Sequence, residues 1–594
     1  MYDQSETAAA EARKAALCGT GTADVLLDIW LQANAEAEKV QAYLEVLRQG
    51  QDLGLKELFR QMEELLESGG LTVEQIVPAF RKARNSARIR AALAHDGEDE
   101  AFGQKNYALG TEHYRQGENK LREARQMDVF NAVSGKIPNL SAGVYNDRSL
   151  GALQKIVRRA NGFGIRQLFE EAGDAMQRFY PCMIMGPSSV AEFIPIDAPQ
   201  FDLVIFDEGS QLPTYKALIP LSKAKRCIIV GDEKQLTPTS FFRKEQMDEN
   251  GFSVRREAIL EDAIITSMPQ NMLRFHYRSQ HENLIAFSNS RYYGGEIVSF
   301  PDNSTVPEGV EFVYVEQGVY DRGGERINKC EAERVIALVQ SIYEALPEDS
   351  AETVGIITFN VEQQRYIQRL LSEAVQKKQI FWDKMEQLVD VVNLESCQGK
   401  EWDNTILSMT YGPDKNGDFS SNLGPMNQRE GRNRLNVMIT RSRKMLYVVS
   451  SMTPEMLRGS SSAGLTDLRD FLAFARGDLK LDTRQDVQRQ NCPNDEKDLK
   501  AIVAQRLTER GHIVQTDVGS SDCKVDIGIL SQNGKNYQIG IMLDDFSGNF
   551  SIRDYEITIP DMLKSKGWTI YRLYTASWYE NAERELACVE ELLN

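Results

Sequence analysis

The chain has 594 residues, a formal net charge of −18 and an apolar fraction of 42%, enough length for several domains and ordinary content for a globular protein. No apolar run is long enough to span a bilayer, the first residues lack the basic start and apolar core of a signal peptide, and the eight cysteines form no CxxC pair, which predicts a cytoplasmic protein with free thiols, no zinc ribbon and no membrane partner. An acidic chain repels phosphates at long range, so a nucleic-acid partner would need a local groove of amides, hydroxyls and stacking surfaces.

Residues 1 to about 125 are rich in Ala, Glu, Lys, Arg and Leu and nearly free of Pro. Apolar positions recur at helical spacing, which predicts a helical hairpin or bundle. Pro187, Ser188 and Ser189 in PCMIMGPSSVAEFI open a further helix. Free amides and hydroxyls at such a start suit a phosphate, and a plain cap fits equally well.

Residues 201–206, FDLVIF, form a short apolar run that predicts a buried parallel strand. Asp207 and Glu208 follow it, where ligands bind in open α/β sheets. A second apolar strand near residues 226–230 leads into Gly231, Asp232, Glu233, Lys234 and Gln235. An acidic pair after one strand and a glutamine after the next suit nucleotide hydrolysis. One carboxylate holds Mg²⁺, the other orients the attacking water, and the glutamine senses the γ-phosphate.

The pair DEGSQ and GDEKQLTP resembles motifs II and III of superfamily 1 helicases, usually DEASQ and GDxxQLPP. The resemblance continues to about residue 475. HYRSQHENLIAFSNSRYY resembles motif IV, and Arg278 is the candidate for clamping the γ-phosphate. His276 and His281 are five apart, which makes a structural role more apt than a metal pair. VVNLESCQGKEWDNTI resembles motif V, with Ser396, Gln398 and Gly399 implied in strand contact and Glu401 in ribose contact. RLNVMITRSR resembles motif VI and makes Arg441 a second candidate arginine finger. Gly231 and Asp232 join the implied nucleotide site, and Ser188 and Ser189 the implied nucleic-acid site.

A superfamily 1 motor also uses GxxxxGK[ST], and no segment of the chain matches it. The expectation is that the sequence begins inside the helical stalk that the family inserts in its first motor domain. The chain is then a fragment, half of a split protein completed by another polypeptide, or a decayed ATPase.

A polar linker near residues 479–494 precedes a small α/β unit. VGSSDCKVDIGIL, YQIGIMLDD and KGWTIYRLYTASWY resemble the endonuclease-like domain, related to very-short-patch-repair nucleases, that closes one bacterial branch of this family. Asp526 and Asp544 match its metal-binding acids, but Met542 stands where a Glu is usual. A thioether is a poor ligand for Mg²⁺.

The expected fold is α/β. A helical stalk fills residues 1–165, the remainder of a first RecA-like domain 166–255, a second RecA-like domain 256–478, and a restriction-endonuclease-like domain 495–594. The resemblance implies ATP and Mg²⁺ as cofactors and single-stranded or duplex DNA, or RNA, as partner. Three readings stay open: ATP-driven movement on nucleic acid, a nucleic-acid-binding scaffold with a degenerate motor, and a metal-dependent nuclease with a vestigial one.

Overall fold

The computed structural model describes residues 56–68, 107–137, 147–158, 162–236, 258–306, 308–347, 349–376, 387–459, 462–481, 499–544 and 550–593, with a few isolated positions besides. The reading of residues 1–55 as helical falls outside them. The chain divides into two compact units, residues 1–113 with 573–591, and 114–572 with 592–594. In the first, the helix Lys56–Glu67 buries Phe59 and Met62 and carries an exposed Glu57–Arg60–Glu64 ladder. All the motifs lie in the second.

There, α1 (Arg148–Arg158) packs on α2 (Ile165–Phe179), and the short α3 (Pro187–Phe193) follows. β1 (Val204–Phe206), α4 (Thr214–Ser222) and β2 (Cys227–Ile229) form a parallel strand-helix-strand unit, closed by α5 (Ile259–Ile265). Phe206, Ala217 and Ile259 make its small core. The expectation of a buried β1 is corrected here. Leu203, Ile205, Ile228 and Val230 are exposed, as are Tyr215, Leu218 and Ile219 on and beside α4. Among the described residues this sheet has two strands, so each side chain pointing away from α4 and α5 meets solvent.

α6 (Asn283–Tyr292) leads to the larger sheet. β3 (Val310–Tyr314), β4 (Val354–Thr358), β5 (Val389–Asn393), β6 (Trp402–Ser408) and β7 (Ser442–Ser450) run parallel in the order β3-β7-β6-β4-β5. Strand alternation sends neighbours to opposite faces. Ile356 and Ile406 join the core with α7 (Lys329–Ala345) and α8 (Val361–Gln376). Ile357 and Leu407 join the core with α9 (Gly431–Ile439) and α10 (Ala463–Arg476). Each such buried aliphatic contributes about 1.5–3 kcal/mol. Gly355 has a steric reason: a Cβ there would stand 2.0 Å from the Trp402 ring.

The C-terminal sheet has the order β11-β10-β9-β8. It comprises β8 (Val514–Val518), β9 (Val525–Leu530), β10 (Tyr537–Leu543) and β11 (Ile570–Leu573), with α11 (Leu499–Glu509) and α12 (Ile559–Ser565) against it. Its core is not its own. Val298 and Phe300, from the segment after α6, lie in one apolar cluster with Val525, Met542, Leu563 and Trp568. Around that cluster Trp568 Nε1 donates to the Pro301 carbonyl at 2.9 Å, and Arg274 pairs with Asp522 at 2.7 Å. No helix among the described residues is long and apolar enough to cross a membrane.

Candidate nucleotide and nucleic-acid site

The acidic turn is set by two glycines. The Gly209 amide donates to the Val230 carbonyl at 2.7 Å, binding the end of β1 to the end of β2. A Cβ on Gly209 would stand 2.6 Å from Ile229 Cγ2, and one on Gly231 would stand 2.9 Å from the Ser210 amide nitrogen. This close approach turns Glu208 to a φ of +53° and leaves the Asp207 and Glu208 side chains exposed at the strand end. Asp207 Oδ1 accepts the Glu208 amide at 3.0 Å, and Gln211 Nε2 holds Glu208 Oε2 at 2.8 Å.

The start of the loop after β2 is held by residues of the larger α/β lobe. Asn433 Nδ2 donates to the Gln235 carbonyl at 2.7 Å, Asn436 Nδ2 to the Lys234 carbonyl at 3.0 Å, and Gln398 Nε2 to the Leu236 carbonyl at 3.1 Å. Asp232 accepts from the Tyr293 hydroxyl at 2.6 Å, and that hydroxyl accepts from Asn436 at 2.8 Å. Arg441 completes the set. Its guanidinium donates to the Val437 carbonyl at 2.7 Å, to the Lys400 carbonyl at 3.3 Å and to Gln235 Oε1 at 3.1 Å. Burial lowers the Arg441 pKa, and the charge of Arg278 acts in the same direction. A guanidinium stays charged through such a shift.

Arg278 itself is half-exposed, with Nε 3.0 Å from Glu401 Oε2. Glu401 also pairs with Arg443. The Arg443 hydrogen bond, with help from Arg278, holds the Glu401 carboxyl below its ordinary range. Glu401 thus ties two arginines together. Burial takes His276 down to about 4, and its ring pairs with Ser279 at 2.8 Å, a structural role.

Among the described residues, no side-chain hydrogen bond joins Ser188, Ser189 or Ser396 to these arginines or the acidic pair. Ser188 and Ser189 lie in the first turn of α3, whose N-terminus has no side-chain cap. Ser396 is exposed, with its amide and hydroxyl turned onto Asn393. Gly399 has a φ of +75°, which a glycine adopts without strain. Asp526 and Asp544 are on or just past the C-terminal strands β9 and β10.

Sequence reasoning passed over Tyr293, Asn433 and the buried Arg434, whose Nε reaches Glu395 at 2.8 Å. The polar residues on an otherwise buried α9 were the available signal. Tyr293 carried none, because its role depends on where Asp232 lies in space.

Two parallel α/β lobes thus meet through strand-end loops, with an acidic pair on one and two arginines on the other. Models described as an AAA domain match residues 187–242 and 256–453, and the REase_MTES_1575 model matches residues 500–593. These matches support a superfamily 1 helicase, with a restriction-endonuclease-like domain at residues 500–593. It is 29% identical to the uncharacterized ATP-dependent helicase MG140 of Mycoplasma genitalium, over 55% of this chain and 30% of that one. It is 25% identical to the uncharacterized ATP-dependent helicase MJ0104 of Methanocaldococcus jannaschii, over 45% and 39%. It is 27% identical to the 5'-3' DNA helicase ZGRF1 of Mus musculus, over 43% and 13%. The chain thus spans well under half the length of these relatives.

Proposed function

We propose that these residues form the larger part of an ATP-dependent motor that moves on DNA or RNA. The observation that carries the reading is the hydrogen bond from Arg441 to Gln235. It couples the loop beside the acidic pair to the motif VI arginine, as a site split between two lobes requires. Asp207, with one oxygen on the Glu208 amide and its side chain exposed, is the residue that would hold Mg²⁺. Glu208, steadied by Gln211, orients the water. Arg278 and Arg441 stabilise charge on the transferring phosphoryl group. Ser396, Gln398 and Gly399, on the loop after β5, contact the nucleic-acid strand with Ser188 and Ser189.

The phosphate loop is supplied by a segment carrying GxxxxGK[ST]. The exposed Leu203, Ile205, Ile228 and Val230 support this reading, because an open apolar face on a sheet with two strands among the described residues is what further strands would cover.

The test measures phosphate release with saturating single-stranded DNA or RNA. The chain alone is expected to fall far below about one turnover per second. Adding a polypeptide that bears the phosphate loop and its strands is expected to raise turnover to that order, and Glu208→Gln to abolish it. Failure of every such complement to stimulate turnover, with strand binding intact, would move the protein to the scaffold reading.

A further inference from the structure

We propose that Lys500 is the resident cation of the C-terminal domain, an ammonium standing where a metal-dependent nuclease of this fold would hold its divalent ion. The inference is independent of the motor reading. In β8 the register pairs Thr516 with Ile527 and Val518 with Val525, which sets Asp517 opposite Asp526. In β10 it pairs Ile541 with Ile527, so the next position sets Met542 beside Asp526. Three neighbouring strands therefore line up Asp517, Asp526 and Met542.

Two acids facing each other across a strand pair repel. Asp517 also holds a φ of +57°, a region that costs an L residue energy. The ammonium offsets both costs. Lys500, on the first turn of α11, places Nζ 2.7 Å from Asp517 Oδ1 and 3.1 Å from Asp526 Oδ1. The Lys500 and Asp526 side chains are only 14% and 16% exposed, so solvent screens this pair little. The remaining Asp526 oxygen accepts the Leu543 amide at 2.9 Å.

A magnesium site does not fit these residues. Mg²⁺ takes about six oxygen ligands in octahedral array. Here one Asp526 oxygen faces an amide and the other an ammonium. The third strand offers a thioether side chain packed in the apolar cluster with Phe300 and Trp568. Among the described residues no group of three His, Cys, Asp or Glu side chains is placed to hold a metal ion. Lys500 thus ties α11, β8 and β9 together, and the acids serve the fold.

The experiment uses the full chain in an Asp207→Asn background, which keeps the motor's proposed cation ligand out of the readout. Mn²⁺ is titrated by calorimetry and followed by thermal unfolding. With Lys500 present, no Mn²⁺ binding and no rise in Tm are expected, and Lys500→Arg, which keeps a cation, behaves the same. Lys500→Met is expected to lower Tm in EDTA, to bind Mn²⁺ where the Lys500 chain binds none, and to regain stability with it. One Mn²⁺ bound per Lys500 chain, lost on Asp526→Asn, would overturn the proposal. A folded Lys500→Met chain without any Mn²⁺ response would overturn it too, since the two acids would then form an ordinary ion pair with Lys500 and no latent site.

Discussion

The Gln235 side-chain oxygen accepts a hydrogen bond from the Arg441 guanidinium at 3.1 Å, joining the loop after β2 to the turn between α9 and β7. Arg441 is buried and Gln235 partly so, and bonds to a charged donor contribute about 1.5–3 kcal/mol. The bond gives the motif III loop a direct hold on an arginine that the proposed reaction needs.

A double-mutant cycle on this bond tests the coupling. In the complemented complex, Arg441→Ala is expected to lower kcat by about a hundredfold or more. Gln235→Ala is expected to cost less, and the double variant to be little worse than Arg441→Ala alone, because residues sharing one bond are not additive. Phosphate release under saturating ATP measures all four corners. Strict additivity would mean that the two residues act separately.

A second prediction concerns Glu331, at the start of α7. It is fully buried, and burial raises its pKa to about 7. It accepts from the Thr410 amide at 2.6 Å and the Ser408 hydroxyl at 2.8 Å, and its N–H is capped by Asn328. The native state therefore keeps this proton where an unfolded glutamate, near pH 4.5, has lost it. Stability from Glu331 is fully present below about pH 4.5 and is lost as pH rises through about 7, by roughly 3 kcal/mol in total. Glu331→Gln should remove that slope. Urea unfolding of both chains between pH 4.5 and 7.5 reads the difference, and parallel pH profiles would refute the assignment.

The shared core predicts that the C-terminal domain depends on the motor. Phe300 comes from the segment after α6, yet it packs with Trp568 and Leu563 and stacks on Phe275 at 6.0 Å. Phe300→Ala is expected to cost about 3–5 kcal/mol. It should also raise hydrogen exchange in β9 and β10, about two hundred positions or more from Phe300 in sequence but in one apolar cluster with it. Unchanged exchange in those strands would mean that the domain folds without this contact.

The motor motifs were legible because each is a short run whose residues act within one turn. DEGSQ and GDEKQLTP follow apolar runs, and β1 and β2 lie close to where those runs put them. Exposure was not legible in the same way. An apolar run predicts burial only if neighbouring elements cover both faces, and Ile205 is exposed on a sheet that has two strands among the described residues. The sequence placed Met542 where the resembled family carries a Glu, but it did not show the apolar cluster with Phe300 and Trp568, which lie on distant segments.

The sequence by itself determined the alternation of apolar strands and helices that makes an α/β chain, and it singled out the acidic pair Asp207 and Glu208 and the arginines Arg278 and Arg441 as the proposed carriers of chemistry. Local spacing suffices for these, since strand and helix periods are properties of the backbone. Only the tertiary structure decided the pairings. Gln235 meets Arg441 across 206 positions. Lys500 meets Asp517 and Asp526 because a helix crosses two strands, and Tyr293 meets Asp232 because two lobes close on one loop. Such contacts depend on register and packing between distant segments, and no local pattern encodes them.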